Sequence, residues 1–162
     1  MLQKIFLTPI GNLLLKAEDG FVTHIGFSDE ENVEAISSTD SLMQKAEEQL
    51  LEYFEGKRRT FTFPFRQIGT AFQQQVWEKL ITIGYGEKGS YHKLSVMLGK
   101  PKSIRAAASA NGKNHLAVVV PCHRIIGSDG SLTGFAWGLH RKKWLLDHEA
   151  KFSGKGFQPN LL

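Results

Sequence analysis

Cys122 is the one thiol in 162 residues, and His123 and Arg124 follow it at once. The thiolate is the reactive form of cysteine, and neighbouring positive charge lowers a thiol's pKa. Pro121-Cys122-His123-Arg124 therefore reads as an activated sulfur, against the usual fate of a free cysteine as a small core residue. Successive side chains of an extended chain point to opposite sides. His123 is thus expected to serve the sulfur as a base through a bridging water, with a carboxylate holding its other ring nitrogen. Five carboxylates in this half of the chain qualify, Glu78, Glu87, Asp129, Asp147 and Glu149, and spacing does not choose among them. One cysteine permits no internal disulfide and no multi-cysteine zinc site, and the scattered histidines suggest no other metal. A lone thiol fits a reducing, intracellular setting.

A second constellation is Lys102-Ser103-Ile104-Arg105-Ala106-Ala107-Ala108-Ser109-Ala110. A helix that reads base edges in the major groove presents several long polar side chains. This one presents mostly methyl groups, which suits close approach to a minor groove about 6 Å wide, with Arg105 as the one long side chain available to enter the base stack. Charge supports a polyanion partner. Residues 1–56 hold eleven acids against three Lys, whereas residues 57–162 hold 17 Lys/Arg against five acids. Residues 88–128 carry Lys88, Lys93, Lys100, Lys102, Arg105, Lys113 and Arg124 and no acid. Such a stretch favours nucleic acid, although composition alone names no partner. Gly84-Tyr85-Gly86-Glu87-Lys88-Gly89 fits the dinucleotide pattern G-x-G-x-x-G, but no strand precedes it and no acid follows until Asp129, so nucleotide binding is not expected.

The elements that must position these groups divide the chain. Gln3–Leu7, Leu13–Ala17 and Phe21–Phe27 read as strands separated by Pro9-Ile10-Gly11 and Asp19-Gly20. Asp40 caps a helix with Met43, Ala46, Leu50, Tyr53 and Phe54 on one face, stopped by Gly56. Thr60–Phe65 reads as a further strand, and 57–70 as a linker. Thr70 and Gln73 have capping-box spacing ahead of Phe72, Val76 and Leu80. Ser90 caps Tyr91–Leu98, Gly99 ends that helix, and Pro101 suits the first turn of the next, over about 102–110, giving a helix-turn-helix. Leu116–Val120 reads as a strand leading to the cysteine, Asp129-Gly130 as a tight turn, 139–149 as a last helix, and 151–162 as a loose tail. No apolar run approaches the roughly 20 residues of a membrane span, and no signal peptide is readable.

With these residues in order, the chain resembles the O6-alkylguanine-DNA alkyltransferases. The densest match is Pro121-Cys122-His123-Arg124-Ile125-Ile126-Gly127 with Gly130, Leu132 and Gly134-Phe135. Phe72-Gln73, Val76-Trp77, Tyr85-Gly86, Ser90-Tyr91, Gly99-Lys100-Pro101, Arg105-Ala106, Ala110-Asn111-Gly112-Lys113-Asn114 and Arg141-Lys142 to His148-Glu149 support it. The resemblance implies an α/β chain with an N-terminal ribonuclease-H-like domain, 1–68 with its linker, and a mainly helical winged-helix-like domain, 69–150. It implies Cys122 as alkyl acceptor, His123 as its water-mediated base, Glu149 orienting His123, Asn114 bracing the turn, and Tyr91 helping to rotate the nucleotide and protonate the leaving guanine. Arg105 would fill the space of the flipped base, beside Ala106. Gln73, His92, Lys100 and Ser128 match positions that contact the DNA strand. Ile125, Phe135 and Ala136 match the pocket wall.

The chemistry follows from the lesion. An alkyl group on guanine O6 lies inside the duplex, so the base must leave the stack. Attack by the thiolate gives a thioether. Disulfide exchange with a second thiol cannot undo it, and this chain has no second thiol. The sequence therefore predicts one turnover per molecule, no cofactor, no metal, and a monomer acting on double-stranded DNA. O4-methylthymine is a second expected lesion, with no preference readable. Departures from the family pattern are Gly84 for Pro, Lys88 for Thr, Ala107-Ala108 for Val-Gly, His115 for Pro, and Trp137 where many relatives have Gly. Trp137 is expected to narrow the pocket mouth. Three other readings are a non-catalytic relative, a winged-helix regulator and a Cys-His hydrolase. The presence of Cys122 opposes the first, the alanine-rich helix the second, and the adjacent Cys-His placement the third.

Overall fold

Three antiparallel strands open the chain in the order β1 (Leu2–Thr8), β2 (Gly11–Glu18) and β3 (Phe21–Ser28) in the computed structural model, which describes residues 1–30 and 38–154. Positive φ at both Asp19 (52°) and Gly20 (82°) makes the second hairpin a type I′ turn, whose twist matches that of its strands. Leu13, Leu15 and Ala17 alternate along β2 into the core. Helix α1 (Ser41–Phe54) covers them, with Asp40 accepting from Met43 N at 3.1 Å as its N-cap. Met43, Ala46, Leu50 and Tyr53 form its buried stripe.

Thr60–Phe65 is not a strand. It makes one parallel bridge, Val22 to Phe65. Pro64 has no N–H to give a ladder, and Gln49 takes the place of a strand partner, bonding Thr62 through both its amide nitrogen and its amide oxygen. Within the stretch read as a linker Phe63 is buried, and Phe61 packs on Tyr53, Phe63 on Phe61 and Phe65 on Phe63.

The described residues form two units. One is Met1–Gln67 with His115–Ala117, and the other is Ile68–Asn114 with the residues from Val118 onward. The second unit contains α2 (Ala71–Ile81), α3 (Tyr91–Met97), α4 (Ile104–Gly112) and α5 (Leu139–Phe152). It also holds the parallel pair β4 (Gly89–Ser90) and β5 (Ile125–Ile126). Thr70 and Gln73 form the expected capping box, and Ser90 caps α3 through Lys93 N.

Three expectations fail here. Helix α4 starts at Ile104 rather than 102 and ends at Gly112, because Ser103 donates its hydroxyl to the Lys100 carbonyl and closes a turn ahead of the helix. Helix α5 continues past 149 to Phe152, into the stretch read as tail; residues 155–162 lie outside the described residues. Leu116–Val120 is not a strand. Leu116 makes a single bridge to Ile25, and Val118 then turns at φ 72°. That left-handed conformation is a genuine outlier for a β-branched residue, worth about 1–3 kcal/mol of strain. It sits four residues before the cysteine.

Candidate active site

Cys122 opens a single 3-10 turn, Cys122–Arg124, rather than an extended segment. Cys122 N donates to Val120 O at 2.8 Å and Arg124 N to Pro121 O at 3.0 Å. Within so tight a turn three consecutive side chains leave in three directions. The sulfur takes a 3.3 Å hydrogen bond from Asn114 Nδ2, which also donates to Val120 O at 2.8 Å. Asn114 thus ties the turn to the sulfur it presents.

His123 and Arg124 both turn to one carboxylate, and it is Glu149. His123 Nε2 lies 2.7 Å from Oε2. Arg124 donates from Nε to Oε1 at 2.8 Å and from Nη2 to Oε2 at 3.1 Å, and Gly86 N donates to Oε1 at 3.2 Å. A carboxylate receiving this many donors stays ionised, and the His123 and Arg124 partners hold Glu149 far below the usual carboxylate range despite its burial. An ionised carboxylate only accepts, so His123 carries its proton on Nε2 and keeps a lone pair on Nδ1. That Nδ1 is buried and has no hydrogen-bond partner among the described residues. Burial, together with the charges of Arg124 and Lys142, lowers the His123 pKa despite Glu149, so the ring is neutral near pH 7 with its lone pair on Nδ1.

The glycine pattern at 84–89 finds its use in the same cluster. A Cβ on Gly86, where φ is 77°, would lie 2.6 Å from Ser153 Cβ. Only glycine lets this backbone reach Glu149 on α5.

One expectation is reversed. The positive charge expected beside the thiol is not there, because Arg124 is paired with Glu149 and His123 is neutral. Cys122 is 3% exposed, and burial pushes its thiol up to about 11. Two groups pull against that burial, the Asn114 amide and the charge of Lys142. Lys142 is fully buried on α5, and burial draws its own pKa down to about 8. Its ammonium donates to Thr133 O at 2.7 Å and lies 5.9 Å from the Tyr91 ring centroid. Tyr91 OH donates to the same carbonyl at 3.0 Å. Sequence reasoning gave Lys142 no role. The available signal was its place, seven residues before Glu149, on the stripe that buries Leu145 and Leu146.

Profiles of two domains, described as the 6-O-methylguanine DNA methyltransferase ribonuclease-like domain and DNA binding domain, match residues 1–67 and 71–151. The chain belongs to this family. It is 42% identical over 136 residues, 80% of this chain and 82% of the relative, to the constitutive methylated-DNA–protein-cysteine methyltransferase of Bacillus subtilis. A methylated-DNA–protein-cysteine methyltransferase of Methanosarcina barkeri is 39% identical over 153 residues, covering 92% of this chain and 97% of its own. The Mycobacterium tuberculosis enzyme crystallised in complex with DNA superposes with a TM-score of 0.82 at 35% identity, covering 98% of this chain and 97% of that one. These matches give the two-domain methyltransferase fold, a ribonuclease-like α/β domain followed by a helical DNA-binding domain.

The remaining site residues of this methyltransferase-family chain separate into groups. Arg105, Ala106 and Ser109 are exposed along one side of α4, while Ala107, Ala110 and Asn111 face inward. Trp77 Nε1 donates to Ala110 O at 2.9 Å and fixes α4 on α2. His92, Lys100 and Ser128 are exposed. Gln73 is occupied by its cap, Oε1 accepting from Thr70 N at 2.9 Å. Ile125 is fully buried, Ala136 is exposed, and half-buried Phe135 meets Trp137 edge to face at 5.3 Å. Arg124, counted with the basic stretch, is buried on Glu149 and adds nothing to the surface.

Proposed function

We propose that this protein repairs DNA by direct reversal, moving the alkyl group of O6-alkylguanine onto Cys122 once and irreversibly. One observation carries the reading: the single thiol stands on the same turn as a histidine whose Nε2 lies 2.7 Å from Glu149 Oε2 and whose buried Nδ1 has no partner among the described residues. A water between Nδ1 and the thiol transfers the proton to His123. The thiolate attacks the alkyl carbon, a C–S bond forms, and the carbon–O6 bond breaks with its electron pair leaving on guanine. Tyr91, beside the Thr133 carbonyl, supplies the proton that neutralises the leaving base. Asn114 and Lys142 favour the thiolate against its burial. The O-alkyl group of O4-methylthymine offers the same chemistry.

Arg105 and the small face of α4 enter the minor groove and hold the space of the extruded base. Gln73, His92, Lys100 and Ser128 contact the backbone, and Ile125, Phe135, Ala136 and Trp137 wall the base pocket. The protein works as a monomer where thiols stay reduced, in the cytoplasm of a prokaryote or the nucleus of a eukaryote.

DNA carrying radiolabelled O6-methylguanine tests the reading. Label should move to protein in a one-to-one ratio and stop, and Cys122→Ser should bind DNA without accepting label. Continued cycling, or label on another residue, overturns it.

A further inference from the structure

Lys88 and Lys93 border a groove of about 240 Å³ that also contains Ser128, Gly127 and Ser90. Its floor is the β4–β5 pair, Gly89 to Ile125 and Ser90 to Ile126. A Cβ on Gly89 would make only ordinary contacts, 3.5 Å from Ile125 Cδ1 and Ile83 Cδ1 and 3.9 Å from Lys93 Cδ. Both lysines are exposed, and neither has an ion pair among the described residues. The two nearest acids in sequence are engaged elsewhere. Glu87 accepts from Gly84 N at 3.2 Å, and Asp129 accepts from Ser131 N at 3.0 Å and Ser131 Oγ at 2.7 Å. The Ser90 hydroxyl is occupied by Lys93 N at 2.9 Å. The Ser128 hydroxyl has no partner among the described residues and lines the groove.

Two ammonium groups and one hydroxyl without partners among the described residues thus line one groove. Tyr91 follows Ser90 in the chain and Ile125 precedes Ile126, so the lining adjoins the residues expected to handle the extruded nucleotide. We propose that this groove binds a backbone phosphodiester of the DNA strand that delivers that nucleotide, with Lys88 and Lys93 neutralising it and Ser128 donating a hydrogen bond. The inference rests on the DNA-repair reading and adds two residues to it. Lys88 replaces the Thr frequent in the family, so this contact is a property of this chain.

Neutralising a phosphate releases counterions, and each lost contact lowers the slope of log affinity against log salt by about 0.9. Binding of the full chain to a fluorescent duplex would be measured across a salt series. Lys88→Gln/Lys93→Gln should reduce the slope by about 1–2 and weaken binding at low salt by about tenfold. Lys88→Arg/Lys93→Arg should retain both. Equal slopes for the wild type and the Gln pair overturn the subsite and leave the repair function standing. Equal flattening by Lys45→Gln/Lys151→Gln, two exposed lysines elsewhere, overturns it too, since net charge would then explain the effect. A wild-type chain that binds no DNA overturns both the subsite and the function, and that result is read before any variant is made.

Discussion

The two units have different interiors. In the first, the buried side chains among the described residues are apolar apart from Thr8 and Gln49, and those two are neutral and hydrogen-bonded. In the second, His123, Arg124, Arg141, Lys142, His148 and Glu149 are buried. Taking charges out of water costs several kcal/mol each before pairing restores part of it. An interior built only for stability would avoid them, as the first unit does. Fixed charge in a dry site does what water cannot: it sets the protonation of neighbouring groups before a substrate arrives. The second unit therefore gives up stability to fix a field around one sulfur, and the first supplies packing.

The widest separation between the units should come from Glu149→Gln. It leaves Arg124 buried without a counter-charge, and removing one partner of such a pair typically costs about 3–5 kcal/mol. All three tryptophans, Trp77, Trp137 and Trp144, lie in the second unit, so urea unfolding followed by tryptophan fluorescence reports on it. Leu50→Ala in the first unit should cost about 2–5 kcal/mol through a cavity, read by far-ultraviolet circular dichroism because that unit holds no tryptophan. The two losses differ in pH dependence. That of Glu149→Gln should shrink below pH 4.5, where the wild-type carboxylate also loses its advantage, and that of Leu50→Ala should hold. Parallel behaviour would erase the contrast.

The acid limb is the next effect in size. His123 and Glu149 both have folded-state pKa values below their unfolded values of 6.5 and 4.5. The folded state then binds fewer protons than the unfolded one, so stability rises with pH. As pH falls, the second unit should begin to lose stability below about 6.5 and lose more below about 4.5, again by tryptophan fluorescence. A flat profile from pH 7 to 4 contradicts the assigned protonation states.

Lys142→Met should act on reactivity more than on stability. Loss of its charge should raise the Cys122 pKa beyond about 11 and slow methyl transfer at pH 7 about tenfold for each unit of rise, with unfolding unchanged or shifted to higher urea. Lys142→Arg should restore most of the rate. Equal rates for the wild type and the Met variant would remove Lys142 from the thiol's field. Smallest in effect, Trp137→Gly should raise the rate with O6-benzylguanine relative to O6-methylguanine by about a few-fold, the size expected for relieving a steric wall. An unchanged ratio means that Trp137 does not gate the pocket.

Local rules survive where local physics decides. The Asp40 and Ser90 caps and the Thr70–Gln73 box depend on neighbours within four residues, the three opening strands pair only with the next strand across a short turn, and all are as the sequence reads. The failures share a cause. Thr60–Phe65 and Leu116–Val120 have strand-like composition, but whether a segment joins a ladder depends on partners distant in the chain. Pro64 and the Val118 turn remove the ladder positions. The return of residues 115–117 to the first unit, where His115 O accepts from Ile25 N at 2.8 Å, has no local signature at all.

From residue types alone came the reactive thiol and the basic half of the chain, because a single thiol and a count of charges need no coordinates; the limit of one turnover followed once the family resemblance made that thiol an alkyl acceptor. Residue types left five carboxylates open for the histidine; the family resemblance named Glu149, and the tertiary structure sets it 2.7 Å from His123 Nε2 and brings the charge of Lys142 to bear on the thiol. Glu149 is 26 residues from His123, and Lys142 lies on that same distant helix. Electrostatic energy depends on separation in space and on the water excluded between charges, and the order of residues along the chain specifies neither.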